Sequence, residues 1–386
     1  MVAAVGVASL LIALCFAEVA SRFDGTGGPY LYTRAAFGRF AAFEVGWMMW
    51  FTRVASWASV INVLVSSLGF YWPGVTSGLP RAVTISAIIG SLAVINVRGI
   101  RQSSLVVNLL TVSKLLPLSI FIGAGLFFMD WTRLAPAPAP SPAALSTSGL
   151  LLIYAFGGYE VVSVPGGESR NPRRDISFAL IMTIVIVTIV MTLAQVVALG
   201  TLPGLAASKT PLADAAALFL GVGGAAMITL GAVISTMGNN MGGALSGSRN
   251  LFALAEQGDL PAFFARVHPT FRTPASAVLV TAGVSLALAL SGTFQSMAAA
   301  SAISRLVVYV ATCASMLRLR ASQFRDAVPP AEFAVPFGPA IPTTAIAIAM
   351  CILAGATAVQ LRNGAAALAV GAMLYVIATT RSRPGR

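Results

Sequence analysis

The stretch LLIYAFGGYEVVSVPGGESRNPRRD, Leu151–Asp175, begins as a membrane-crossing helix and then breaks its own pattern. Gly157-Gly158 interrupts the apolar run, and Glu160 follows inside it. A carboxylate facing lipid at the bilayer centre costs about 2.5–3.5 kcal/mol, so Glu160 is expected to face the bundle interior and find a donor. Unwinding at a glycine pair frees backbone amides and carbonyls, which lipid cannot satisfy; the break is tolerable only where it lines a cavity or a ligand. It also creates two half-helices whose ends offer dipoles to an amine or a carboxylate. Tyr154, Ala155, Phe156, Gly157, Gly158, Tyr159 and Glu160 are therefore the candidate substrate-binding residues, with the aromatics as pocket walls. Close helix packing through small residues is the other reading of the glycine pair; the glutamate and three aromatics favour the site.

The rest of the chain supplies the membrane. Of 386 residues, 57% are hydrophobic and only 9% charged, against ~25% charged in ordinary soluble domains. Apolar segments long enough to span fall at 2–20, 40–68, 83–97, 103–129, 149–165, 176–199, 222–254, 275–290, 297–317, 341–359 and 365–379. This predicts an all-α polytopic membrane protein of about eleven transmembrane helices. The proline-rich APAPAPSPAA, Ala135–Ala144, is a stiff connector. Two short segments, PYLYTRAAFG (Pro29–Gly38) and PLADAAALFLG (Pro211–Gly221), each open on proline and close on glycine. They lie five spans apart on opposite sides, as inverted repeats would place them.

Charge sets the sidedness. Loops after the odd-numbered spans, with the C-terminal tail, hold sixteen arginines; the opposite loops hold only Arg81, Arg133, Lys209 and Arg362. The positive-inside rule assigns the arginine-rich side, and the C-terminus, to the cytoplasm, with Met1 on the outer side. The net charge of +12 is accounted for in this way; no basic run interleaved with aromatics suggests nucleic acid. Cys15, Cys313 and Cys351 show no CxxC spacing and His268 is the sole histidine, so neither a metal nor a cofactor is expected.

Other polar groups lie within the spans. Lys114 in the fourth needs a carbonyl or carboxylate partner or must release its proton, which makes it the candidate coupling residue. Arg53 and Arg305 read as structural cations, because guanidinium rarely changes protonation. Asn239 and Asn240 offer contacts to a solute or to another helix, and Trp47, Trp50 and Trp57 read as packing or interface anchors.

These residues resemble the amino acid–polyamine–organocation superfamily, in particular its bacterial amino-acid permeases. The resemblance rests on ALCFAEVASRFDGTGGPYLYTRAAFGRFAAFEVGW (Ala13–Trp47), YAFGGYEVVSVPGGESRNPRRDI (Tyr154–Ile176) and GSRNLFALAEQGDLPAFFARVHPTFRTP (Gly247–Pro274). It implies two inverted five-helix repeats, here a partial first repeat over 1–130 and a second over 148–320, then two final helices over 339–380. It further implies Tyr154 as an aromatic gate, Phe156, Gly157 and Gly158 as an unwound segment meeting the substrate's amino group, and Glu160 just past the break. Lys114 matches a lysine that replaces a sodium ion in some proton-linked members, and Trp57 falls on a substrate-facing wall. The family's first helix, which receives the substrate carboxylate, has no counterpart here. The expected function is a secondary transporter of an amino acid or related amine in the cell membrane, proton-coupled or exchanging; Glu160 and the aromatics suit a cationic or zwitterionic amine. The alternative is a truncated, non-transporting relic or sensor. An intramembrane enzyme would need clustered nucleophiles, bases or metal ligands, which the sequence does not supply.

Overall fold

The computed structural model describes residues 1–386 except 26, 100–103, 136–139, 164–170, 325–326 and 382–386, together with the backbone alone at 104–112 and 381. The described residues form helices and turns, with no strand among them. The helices are α1 Val2–Ala20, α2 Pro29–Phe37, α3 Arg39–Leu68, α4 Gly78–Arg98, α5 Ser104–Gly125, α6 Pro142–Phe156, α7 Pro172–Thr201, α8 Pro211–Glu256, α9 Ala275–Ser291, α10 Phe294–Leu319, α11 Ala340–Ala354 and α12 Ala358–Arg381. Seven are long and apolar enough to cross a membrane, and four shorter apolar helices accompany them. Helices are the form such a chain must take, because each satisfies its own backbone hydrogen bonds in lipid.

Burial sorts the helices into layers. The most apolar window of α3 is 72% buried and that of α10 is 67% buried, against 22% for α4 and α7. α3 is therefore the central post, packed along its length against α8 and α10, while α1 pairs with α7 and α4 with α9. Small residues let these helices approach closely: a side chain at Gly46 would strike Leu254, and one at Gly247 would press on Thr281 and Arg53.

The alternation of loops is visible as contacts. At one end Arg173 of α7 pairs with Asp24 and Glu332. The Thr273 hydroxyl there donates to the Val97 carbonyl at 2.6 Å. Tyr30 donates to Asp259 at 2.7 Å, and Arg39 binds the other oxygen of that carboxylate at 2.7 Å. Burial foremost, and then this bond to Asp259, pushes the Tyr30 hydroxyl up to about 12. At the same end Glu18, 1% exposed, receives Arg320 and the Val335 amide. The Asp130 amide, by contrast, joins the Gly200 carbonyl at the opposite end.

Two boundaries bear on the sequence reading. The short segment from Pro211 is helical and joins the following span through Gly221, whose φ of 66° kinks the chain. The last hairpin turns at Gly355 rather than after Val359, so Arg362 lies inside α12. The Thr357 side chain accepts from the Gln360 amide while Gln360 accepts from the Thr357 amide. This reciprocal cap starts α12 several residues earlier than hydropathy alone suggests. Part of the connector before α6 lies outside the described residues; Ser141 caps that helix and Pro142 opens it.

Candidate functional site

α6 stops at Phe156, and a short 3₁₀ helix, Tyr159–Ser163, resumes beyond the break. Gly157 is extended at φ −72°, ψ 157°. Gly158 takes φ 121°, a conformation that side chains disfavour. The two glycines serve different needs. A side chain on Gly157 would begin 1.0 Å from Arg305 Nη1, so its absence makes room for that guanidinium. Beside Gly158, among the described residues, nothing other than its chain neighbours lies within 4 Å of where a side chain would start.

Glu160 holds the break together. It is 2% exposed, and both of its oxygens are engaged. Oε1 accepts from Arg53 Nη2 at 2.7 Å and lies 3.4 Å from Arg305 Nε. Oε2 accepts from the Gly158 amide at 2.8 Å and from the Tyr309 hydroxyl at 3.1 Å. Arg305 Nη1 donates in turn to the Tyr154 carbonyl at 3.2 Å, and the Gly157 amide donates to that same carbonyl. The freed Gly158 amide is thus met by Glu160 of the segment itself and the Tyr154 carbonyl by Arg305 of α10, while Arg53 of α3 anchors the Glu160 carboxylate. This is the condition for irregular backbone at membrane depth.

A narrow cavity adjoins the cluster, lined by Met49, Thr52, Arg53, Glu160, Arg305 and Val308. Its volume of about 10 Å³ is on the order of one water. The Thr52 hydroxyl and Arg305 Nε are buried there without a hydrogen-bond partner. The Tyr154 hydroxyl, the Trp57 indole N–H and both amide atoms of Asn240 are likewise buried and unpartnered. Buried polar groups ordinarily find partners; the Thr52 hydroxyl and Arg305 Nε are two beside this cavity that have none.

The expected residues fall as follows. Phe156, Tyr159 and Glu160 are buried, Tyr154, Gly157 and Gly158 are half-buried, and Ala155 is exposed. The Tyr159 ring packs on Tyr309 and on Phe16 of α1, and the Tyr154 ring meets Phe294 edge-on. Trp57 is buried on α3, one turn beyond Arg53, against Gly243 of α8. Lys114 is exposed on α5, and among the described residues no carboxylate pairs with it. It therefore differs from the buried, partnered ammonium expected from its apolar context; Leu115 and Leu116 beside it are exposed as well. Arg53 and Arg305, read from sequence as structural cations, converge on Glu160, and Tyr309 joins them without having been anticipated. The signal for the arginines was the membrane depth of each, since an intramembrane charge needs a partner; for Tyr309 the sequence held none.

Residues 1–380 match the family described as amino acid permease. The chain belongs to that family. The permease is 28% identical over 359 residues to the serine/threonine exchanger SteT of Bacillus subtilis (strain 168), covering 90% of this chain and 80% of that protein. It is 24% identical over 390 residues to the branched-chain amino acid permease BcaP of the same organism, covering 96% and 83%. It is also 23% identical over 387 residues to the methylthioribose transporter of that strain, again covering 96% and 83%. The permease is accordingly a multi-pass membrane protein and a secondary transporter of the amino acid–polyamine–organocation superfamily. The non-transporting alternative is not favoured.

Proposed function

We propose that this permease binds its solute beside Gly157-Gly158 and moves it across the cell membrane by alternating access. The solute is an amino acid or a related small amine. The observation that carries this reading is the break itself: a helix at membrane depth gives up its continuity, and among the described residues only its chain neighbours approach Gly158 on its side-chain face. Relatives named for serine/threonine exchange, branched-chain amino acids and methylthioribose support a small polar solute. The arginine-rich end faces the cytoplasm under the positive-inside rule, which also puts the C-terminus there. The two repeats span 1–130 and 148–320, with α11 and α12 outside them. Transport is coupled to a proton or to exchange, and Lys114 is the residue through which a proton acts.

The test is uptake into proteoliposomes containing the full chain. Replacing Gly158 by Leu fills the open side of the break and forces a side chain onto φ 121°. Uptake of every amino acid the wild type carries is expected to fall at least tenfold, while the protein still elutes as a single species in detergent. Unchanged uptake in a folded Gly158→Leu protein would place the binding site elsewhere.

A further inference from the structure

The charges around the break do not balance. Arg53 Nη2 bonds Glu160 Oε1 at 2.7 Å, yet Arg305 shares that same oxygen at a longer 3.4 Å, and its Nε has no hydrogen-bond partner. Among the described residues, the ionisable groups facing Glu160 are Arg53 from α3, Arg305 and Tyr309 from α10, and Tyr159 from the 3₁₀ helix beyond the break. The nearest further acid on α3, Glu44, lies nine residues and about 13 Å along the axis from Arg53. Glu18 is committed to Arg320. Among the described residues, two guanidiniums therefore meet one carboxylate, leaving one positive charge in a low-dielectric interior. Guanidinium cannot relieve this by losing a proton, and an uncompensated buried charge is costly.

We propose that the missing negative charge is brought by the solute: the permease selects a solute bearing an extra carboxylate, an acidic amino acid or similar carboxylate anion. That carboxylate docks on Arg305. The inference rests on the binding site proposed above and names its substrate class. The cavity beside Arg305 and Thr52 takes about one oxygen-sized group, so only the end of the carboxylate enters it. The rest of the solute occupies the open side of Gly158. Thr52 donates its unpartnered hydroxyl to the incoming oxygen. Glu160 has no free oxygen for a cationic amine, because Arg53, Arg305, Tyr309 and the Gly158 amide occupy both. The same excess positive charge repels a cationic side chain.

Glutamate, glutamine and lysine serve as probes of nearly equal size. Binding to the purified full-length protein is read by ligand-induced thermal stabilisation, and transport by proteoliposome uptake. Glutamate is expected to bind at least tenfold tighter than glutamine, and lysine weakest of the three. Arg305→Gln leaves the Glu160–Arg53 pair neutral and intact, so the protein should remain folded. Its preference for glutamate over glutamine should fall roughly 10–100-fold, the range expected for loss of a charge-assisted contact. Arg53→Gln, which leaves Glu160 with Arg305, provides the second variant, and it should also lose the preference. Glutamine or lysine binding as tightly as glutamate would overturn the inference while leaving the transport site standing. So would a glutamate preference that survives both substitutions. Uptake of none of these or of any other amino acid would remove the proposed site along with it.

Discussion

Gly157→Ala is the substitution whose cost the structure defines most directly. The backbone at Gly157, φ −72° and ψ 157°, suits any residue, so alanine brings no conformational strain of its own. The new methyl would sit 1.0 Å from Arg305 Nη1 and 2.0 Å from Cζ, which forces the guanidinium out of its place. Arg305 then loses the Tyr154 carbonyl at 3.2 Å and its 3.4 Å approach to Glu160. Breaking a buried charge pair costs about 3–5 kcal/mol, and the lower end applies because Glu160 keeps Arg53. We expect Gly157→Ala to destabilise the protein by about 3 kcal/mol in detergent-micelle unfolding. In an Arg305→Ala background the obstacle is gone, and the same substitution should cost under about 1 kcal/mol. The resulting coupling of about 2 kcal/mol is well above the ~0.5 kcal/mol scatter of independent sites. Gly158→Ala supplies the contrast: its cost of about 1–3 kcal/mol comes from φ 121° alone and should be the same in both backgrounds. Equal cost for Gly157→Ala with and without Arg305 would refute the account of why this glycine is needed.

Three further outcomes follow from the geometry. Tyr309→Phe removes one of the two donors to Glu160 Oε2 and should lower stability by about 1–2 kcal/mol, measured in the same unfolding assay; no change would mean the hydroxyl contributes nothing to the cluster. Because the Tyr30 hydroxyl is raised from 10.0 to about 12 in the folded protein, its contribution is fully present below pH 10 and is lost as pH rises through about 12. Unfolding measured from pH 9 to 12 should show that decline, and Tyr30→Phe should flatten it; an unaltered slope would rule Tyr30 out as its source. Lys114→Ala should abolish the response of uptake to an imposed proton gradient without loss of folded protein, and a retained response would reject its role in coupling.

Much of the fold is legible because the bilayer imposes one rule on every span. Hydropathy alone places α3 at 40–68, where the helix runs Arg39–Leu68, and it places α9 within a residue. Proline at the start and glycine at the end set the bounds of α2 just as directly. The hairpin at Gly355 is misplaced by hydropathy because both flanks are apolar; the deciding signal is the polar pair Thr357 and Gln360. The break at Gly157-Gly158 is legible from local chemistry, whereas the identity of its partners is not. Arg53 lies 107 residues before Glu160, and Tyr309 lies 149 after it. No periodicity links positions so far apart. Only the packing of α3 and α10 on one face of the break joins them.

The cluster at Glu160 makes more sense as a device for shaping the break than as a source of stability. Buried ion pairs are weak contributors to net stability, because desolvation offsets most of their attraction, and apolar replacements of similar volume are often as stable. An apolar side chain at position 160 could not, however, accept the Gly158 amide, which no helix satisfies. Nor could an apolar residue at 305 reach the Tyr154 carbonyl, released where α6 ends. The carboxylate therefore fixes the unwound turn. Arg53 holds that carboxylate in place, and Arg305 caps the half-helix while retaining an unfilled donor. A break held in this way keeps its shape before any solute arrives, so binding need not pay to create it. On the proposed reading, what the solute meets is an already irregular backbone and, among the described residues, an open flank at Gly158 beside an Arg305 with an unfilled donor.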